Sequence, residues 1–286
     1  MQNSKRRATD RIPDSQSGKP LYRVGMPDES LRNYLEFARE TAREAGQLTL
    51  RFFQTDAARA EFKSDDTPVT VADREAEQLI RTRIAERYPD HAIVGEEYGA
   101  AESDDAKHVW IIDPIDGTKS FVHGVPLYGV LLALQIDGTV EVGVAYFPAL
   151  DEMISAATGL GCDWNGKPAR VSVETRLDRA ICCHIDTAYF GRNGKGEPWG
   201  RLQQSVYYNA GWCDAYGYLL VATGRAEVMI DPVMAVWDCA PFPPIFREAG
   251  GYFGDWKGNE GRIDGGEALA TTPALLPEVL GRLSGP

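Results

Sequence analysis

Histidine, paired cysteine and long apolar runs are what this 286-residue chain has least of. Four histidines with no H-E-x-x-H spacing exclude a His-based zinc site. The five cysteines, Cys162, Cys182, Cys183, Cys213 and Cys239, contain no C-x-x-C pair, and adjacent Cys182–Cys183 is unlike a disulfide framework. A reduced, cytoplasmic setting is the expectation. No apolar run approaches the length of a membrane span, so no membrane partner is expected. Positive charge is also scarce. A formal net charge of -12 argues against a nucleic-acid partner, although a small phosphorylated substrate is compatible with it if bound cations invert the local field. The first 25 residues run the other way, with six Lys/Arg against two Asp and no hydrophobic stretch for secretion. Residues 1–29 therefore read as a disordered extension, with Met26 as an alternative start. The whole chain, at 43% hydrophobic content, suffices for one large domain or two closely packed lobes.

What is present centres on Val109-Trp-Ile-Ile-Asp-Pro-Ile-Asp-Gly-Thr-Lys-Ser120. Val109 to Ile112 has the character of a buried strand; it ends on Asp113, turns through Pro114 and offers Asp116, Gly117 and Thr118. Buried carboxylates are costly unless paired, and hard divalent ions want oxygen ligands of this kind. A magnesium site serving phosphate chemistry is the reading. If backbone amides converge at Gly117–Thr118 they would take a phosphate; otherwise Asp-Gly there is a turn. The phosphate-loop spacing G-x-x-x-x-G-K-[ST] is missing, which excludes a P-loop nucleotide site.

Taken in order, Leu31, Tyr34, Phe37, Ala38, Ala42, Ala45, Leu48 and Phe52 fall at helical spacing. A polar link containing Lys63 leads to Thr70-Val-Ala-Asp73, a capping box opening a helix with Ala76, Leu79, Ile80 and Ile84 on its apolar face. Asp73 has a role in that box whatever else it does. A short strand, Ala92 to Val94, ends on Gly95-Glu96-Glu97, and neighbouring strands that end together would bring Glu96 to Asp113 and Asp116. Val130–Ile136 and Val140–Phe147 flank a hairpin turn at Asp137-Gly138. Strands over Glu152–Ala157 and Ala169–Val173 flank a longer connection with its own Asn165-Gly166 turn. From about residue 176 the pattern alternates: strand 180–184, irregular or helical segments to Tyr208, helix 214–223 closed by Gly224, strand 227–230, helix 238–249 closed by Gly250-Gly251, strand 269–271 and helix 275–283. This is an α+β lobe over 30–175 followed by an α/β lobe over 176–286.

The second lobe carries a second acidic cluster, Asp231-Pro-Val-Met-Ala-Val-Trp-Asp238. Asp238 is placed to N-cap the helix that follows, a role compatible with metal coordination. Asp214 is placed to N-cap its own helix.

Gly95-Glu96-Glu97, Asp113-Pro-Ile-Asp-Gly-Thr118 and Trp237-Asp238-x-Ala240 closing on Glu248-Ala-Gly-Gly251 together resemble the inositol monophosphatase superfamily of magnesium-dependent, lithium-sensitive phosphatases. The resemblance covers about residues 31–283 and implies the layered αβαβα fold and usually a homodimer. It also implies two or three Mg²⁺ ions. The first would be held by Glu96, Asp113 and the Ile115 carbonyl, the second by Asp113, Asp116 and Asp238. A looser third near Glu96 would be reached through water, with Asp73, Lys63 and Glu97 in the surrounding network. Thr118 would orient the attacking water, and the Gly117 and Thr118 amides would hold phosphate.

Phe121–Gly129, Gly211–Gly217 and Ala226–Pro232 resemble the histidinol-phosphatase branch. Asp231 stands where inositol-type enzymes tend to carry a Glu, and Asp214 where they carry a small residue. Two acids beyond those needed for metal suit a leaving group bearing an ammonium, as histidinol does. Hydrolysis of histidinol phosphate in histidine synthesis is thus the expectation. An inositol-1-phosphate or broad sugar-phosphate phosphatase and a non-catalytic acidic metal-binding module are the alternatives.

Overall fold

The computed structural model describes residues 28–55, 61–62, 68–100, 107–212 and 214–285. Most of the expected extension, together with Lys63 and Cys213, lies outside them. The first half comprises α1 (Asp28–Thr49), β1 (Glu61–Phe62), β2 (Pro68–Val69), α2 (Val71–Arg87), β3 (Ala92–Gly95), β4 (Gly99–Ala100), β5 (His108–Asp116), α3 (Thr118–Val122), β6 (Gly129–Ile136), β7 (Thr139–Phe147), β8 (Glu152–Ala157), β9 (Gly161–Trp164) and β10 (Lys167–Pro168). The second comprises β11 (Ile181–His184), α4 (Thr187–Arg192), α5 (Gly196–Gln203), β12 (Tyr208–Ala210), α6 (Asp214–Ala222), β13 (Val228–Asp231), α7 (Val236–Cys239), α8 (Phe242–Ala249), β14 (Tyr252–Gly254), β15 (Ala268–Thr271) and α9 (Leu276–Ser284).

Side-chain alternation along the strands builds the layers. Ile112, Leu132, Leu134 and Val144 turn to one face of the eight-stranded sheet, where Leu35, Ala38 and Ala42 of α1 and Ala76, Ile80 and Ile84 of α2 cover them. Their neighbours Ile111, Leu131, Ala133 and Ala145 turn to the other face and meet α6 and α8 through Leu219, Phe242, Ile245 and Phe246. The far side of those helices rests on Met229 and Ala270 of the second sheet. Val228, Ile230 and Leu269 point away from them, onto Phe190, Trp199, Leu202 and Val279. The result is helix, sheet, helix, sheet, helix.

The first sheet has the order β10-β9-β8-β7-β6-β5-β3-β4 and is antiparallel except where β3 meets β5; the second, β12-β11-β13-β15-β14, is mixed. The Asp137-Gly138 turn forms as expected, with φ of 49° and 82° and Ile136 paired to Thr139.

Four local expectations are corrected. β5 does not stop at Asp113 but runs to Asp116, with Pro114 accommodated at a bulge. Ala169–Val173 is not a strand, because the Val171 amide donates to Ala249 at the end of α8; its place as partner strand is taken by β9 and β10. The helix expected over 238–249 is two helices, since three prolines cannot supply amides through its middle, and Pro243 and Pro244 fall in the first turn of α8, where none is needed. Phe52 lies in the turns beyond α1.

Candidate metal and phosphate site

Two neighbouring strand ends make the acidic floor of the site. β3 and β5 run parallel with Gly95 opposite Ile112, so Glu96 and Asp113 emerge side by side, and the Glu96 amide donates to the Ile112 carbonyl at 3.2 Å. Asp116 stands three positions after Asp113, an offset that would send them to opposite faces of a regular strand. The bulge removes that difficulty: Asp113 pairs with Leu131 and Asp116 with Gly129, three steps against two, which returns both carboxylates to one side. The Ile115 side chain is driven into a small core with Ala72, Phe121 and Tyr128. Its amide donates to Asp113 Oδ1 at 3.0 Å, and its carbonyl accepts from Thr118 Oγ at 3.2 Å. Gly117, with φ of 76°, turns the chain into α3 at Thr118.

The other lobe brings Asp238 to the same place. Carboxylate oxygens of Asp113, Asp116 and Asp238 lie within 4.8 Å of one another. Asp238 sits in the first turn of α7 and accepts the Ala235 amide at 2.8 Å, so it is not the N-cap of the following long helix. Asp214 opens α6 with a left-handed φ of 56°, and the Ala215 amide beside it donates to Asp116 Oδ2 at 2.7 Å, 99 residues away. That bond ties α6 to the β5 bulge. A methyl group on Gly117 would come within 3.0 Å of Asp214 Oδ2, so Asp214 stands directly against the Gly117–Thr118 turn.

Asp73 does form its capping box. Its Oδ2 accepts the Thr70 amide at 2.8 Å and the Thr70 hydroxyl at 2.6 Å, while its Oδ1 is buried with no hydrogen-bond partner among the described residues. Asp231 has the same division: Oδ2 accepts from the Tyr218 hydroxyl at 2.6 Å and Oδ1 is buried without a partner among the described residues. Tyr218 was not anticipated. It belongs to an apolar helix run, and nothing in its spacing shows that its hydroxyl reaches the end of β13.

The electrostatics of the cluster follow from burial and from neighbours of one sign. Burial, then Glu96, Asp116, Asp238 and Asp73, push the Asp113 carboxyl well above the usual range; burial, then Asp214 and Asp238, do the same to Asp116. Burial raises Asp238 to about 7, with Glu96 adding to it, and raises Asp73 to about 6 against the opposing Thr70 hydrogen bonds. Asp231 is also held well above the carboxylate range by burial, opposed by Tyr218 and reinforced by Asp214 and Asp238. Among the described residues, none of the main influences on these five carboxyls is a lysine or arginine. An all-oxygen set of this density, with the buried Asp73 Oδ1 lacking a donor among the described residues, fits hard divalent cations.

A five-layer fold with clustered carboxylates at the ends of paired strands defines a metal-assisted phosphatase. The chain belongs to the inositol monophosphatase family, whose pattern it matches over residues 30–283. Within the family it stands with the histidinol-phosphatase branch. It is 43% identical over 241 residues to a histidinol-phosphatase of Chlorobaculum parvum, covering 84% of this chain and 93% of that one. It is 36% identical over 255 residues to a histidinol-phosphatase of Mycobacterium tuberculosis, covering 87% and 97%. The solved IMPase of Thermotoga maritima superimposes with a TM-score of 0.80 at 29% identity, covering 88% of this chain and 97% of that one.

Proposed function

We propose that this phosphatase hydrolyses histidinol phosphate with two or three Mg²⁺ ions. The observation that carries the reading is the pairing of two acidic groups across the seam between the sheets. The Asp113–Asp116–Asp238 trio is suited to cations that accompany phosphate. The Asp214–Asp231 pair lies beside it, close enough that Asp214 raises both Asp116 and Asp231.

Glu96, Asp113, Asp116, Asp238 and the Ile115 carbonyl would hold the ions, with Asp73, Glu97 and Lys63 in the surrounding network. Bound divalent cations supply neutralisation of the phosphate charge and a more acidic attacking water. The Gly117 and Thr118 amides would bind phosphate oxygens. The Thr118 hydroxyl spends its proton on the Ile115 carbonyl, which leaves its lone pairs to accept from, and so orient, the attacking water. Asp231 and Asp214 would take the ammonium of the leaving alcohol, a charge-assisted contact that a neutral polyol cannot make. Residues 30–175 and 176–286 then act as two lobes closing one site, in a homodimeric, cytoplasmic, lithium-sensitive enzyme.

The test is a comparison of kcat/KM for histidinol phosphate and inositol-1-phosphate with Mg²⁺. Histidinol phosphate should be preferred, and Asp231→Asn should cost it about 2 kcal/mol, roughly 30-fold, more than it costs a neutral ester. Equal or better turnover of inositol-1-phosphate by the wild-type enzyme would replace this reading with the inositol-type one. A uniform loss in the variant would make Asp231 structural.

A further inference from the structure

Against the turn that follows Glu96 lies a buried acid that the proposed reaction does not use. Glu77 is fully buried on α2, one turn after Asp73. Its Oε2 accepts the Glu97 amide at 2.8 Å, and its Oε1 accepts the Tyr98 amide at 3.3 Å and Arg81 Nε at 2.7 Å. Arg81 in turn donates to the Gly99 carbonyl at 2.5 Å and lies 5.8 Å from the centre of the Tyr98 ring. The fit is close enough to dictate the residue before Glu96, because a methyl group on Gly95 would stand 2.1 Å from Glu77 Oε1.

A buried carboxylate is costly, and ordinary packing does not call for one. Only an ionised carboxylate presents two acceptor oxygens to three N–H donors without a donor of its own, as this turn requires. Glu96 is thereby fixed on both sides. Its own amide is bonded to Ile112 in the β5 ladder, and the two amides after it are bonded to α2. Arg81 neutralises Glu77, so the brace adds no further negative charge to the site.

We propose that Glu77, locked by Arg81, is a positioning residue that sets the divalent-cation affinity of Glu96. The proposal rests on Glu96 being a metal ligand, as in the reading above. Groups that orient a ligand from behind are worth about 10- to 100-fold in metal affinity. One helix therefore serves the site twice, through Asp73 in the surrounding network and through Glu77 by way of the turn.

The experiment uses full-length protein carrying Glu77→Gln, Arg81→Met, Gly95→Ala or Glu96→Gln, and the double variant of Glu77→Gln with Glu96→Gln. Mg²⁺ and Mn²⁺ affinity is read by calorimetry without substrate, and the Mg²⁺ dependence of turnover separately. Each brace variant should bind metal about 10-fold or more weakly, while kcat at saturating Mg²⁺ stays within about threefold of wild type. In the double variant, Glu77→Gln should add nothing to the loss from Glu96→Gln. Affinity within about twofold of wild type in all three brace variants, or losses that add in the double variant, overturns the brace. If Glu96→Gln itself leaves metal affinity unchanged, Glu96 is no ligand, and the reading beneath the brace has failed instead.

Discussion

β5 and β13 both deliver a carboxylate to the seam between the two sheets, and they treat it differently. At the end of β5, Asp113 and Asp116 face Asp238 with oxygens within 4.8 Å, and Asp113 is in hydrogen-bond reach of Asp238. Two unit charges about 4 Å apart repel by about 4 kcal/mol at an effective dielectric of 20. A cluster of them fully ionised would consume much of the roughly 5–15 kcal/mol that holds a domain folded. The β5 end must therefore hold protons or cations. At the end of β13, Asp231 is buried too, yet a phenol hydroxyl satisfies one of its oxygens and leaves one over. That end has one oxygen left for a further donor. The difference is what the proposed division of labour rests on: cations at the β5 end and a single positive group at the β13 end.

The largest test of this contrast is Asp113→Asn. Removing the carboxylate that faces both Glu96 and Asp238 should lower turnover by about 10³-fold or more, the equivalent of about 4 kcal/mol for a buried charge contact. The same change relieves repulsion, so the metal-free variant should melt higher than metal-free wild type, while Mg²⁺ no longer raises its melting temperature. Retention of more than about a tenth of the activity would break the division between the two ends.

A second test uses pH, with the sign fixed by the raised carboxyls. Asp73 at about 6 and Asp238 at about 7 bind protons more firmly in the folded chain than in the unfolded one, where the ordinary value is 3.8. Between about pH 4 and 7 the folded state holds the extra protons, so this stabilisation is complete at the acid end and is lost as pH rises through 6 and 7. Urea unfolding in chelator should show stability falling from pH 5 to pH 8, and saturating Mg²⁺ should flatten the fall. Metal-free stability that is level or rises over that range would mean that the β5 end is not the strained partner.

How much of this was legible in the sequence depends on whether a signal is local. Asp137-Gly138 names its own turn because both residues tolerate positive φ, and Thr70 to Asp73 names its own cap. The Glu96–Asp113 juxtaposition was legible because two apolar strands ended on acids. The bulge was not, since an extra residue in β5 is visible only against its partner β6. Ala169–Val173 reads as alternating strand, yet the segment closes the end of α8 and passes so near Gly224 that a methyl group there would meet the Arg170 carbonyl at 3.0 Å. Asp214 was correctly expected where α6 begins, but Asp238 lies inside the first turn of α7, and the partner of the Ala215 amide was decided across the seam by Asp116. Tyr218 and Glu77 escaped notice for the same reason: each serves a carboxylate or a turn brought near by tertiary packing.

The smallest effect belongs to Tyr218→Phe, and it probes the β13 end alone. The hydroxyl favours the ionised form of Asp231, so its loss raises a carboxyl that burial already holds high. Asp231 attracts an ammonium only when ionised, and preference for the cationic substrate should emerge with rising pH. In the variant that emergence should move to higher pH, lowering the ratio of kcat/KM for histidinol phosphate over a neutral ester by about threefold near neutrality, in keeping with about 1 kcal/mol for one buried hydrogen bond. Mg²⁺ dependence should be untouched, since Tyr218 bonds to Asp231 rather than to the trio. A shifted Mg²⁺ requirement with an unchanged substrate ratio would show that Asp231 belongs to the metal end, and that the two strand ends form one site of a single kind.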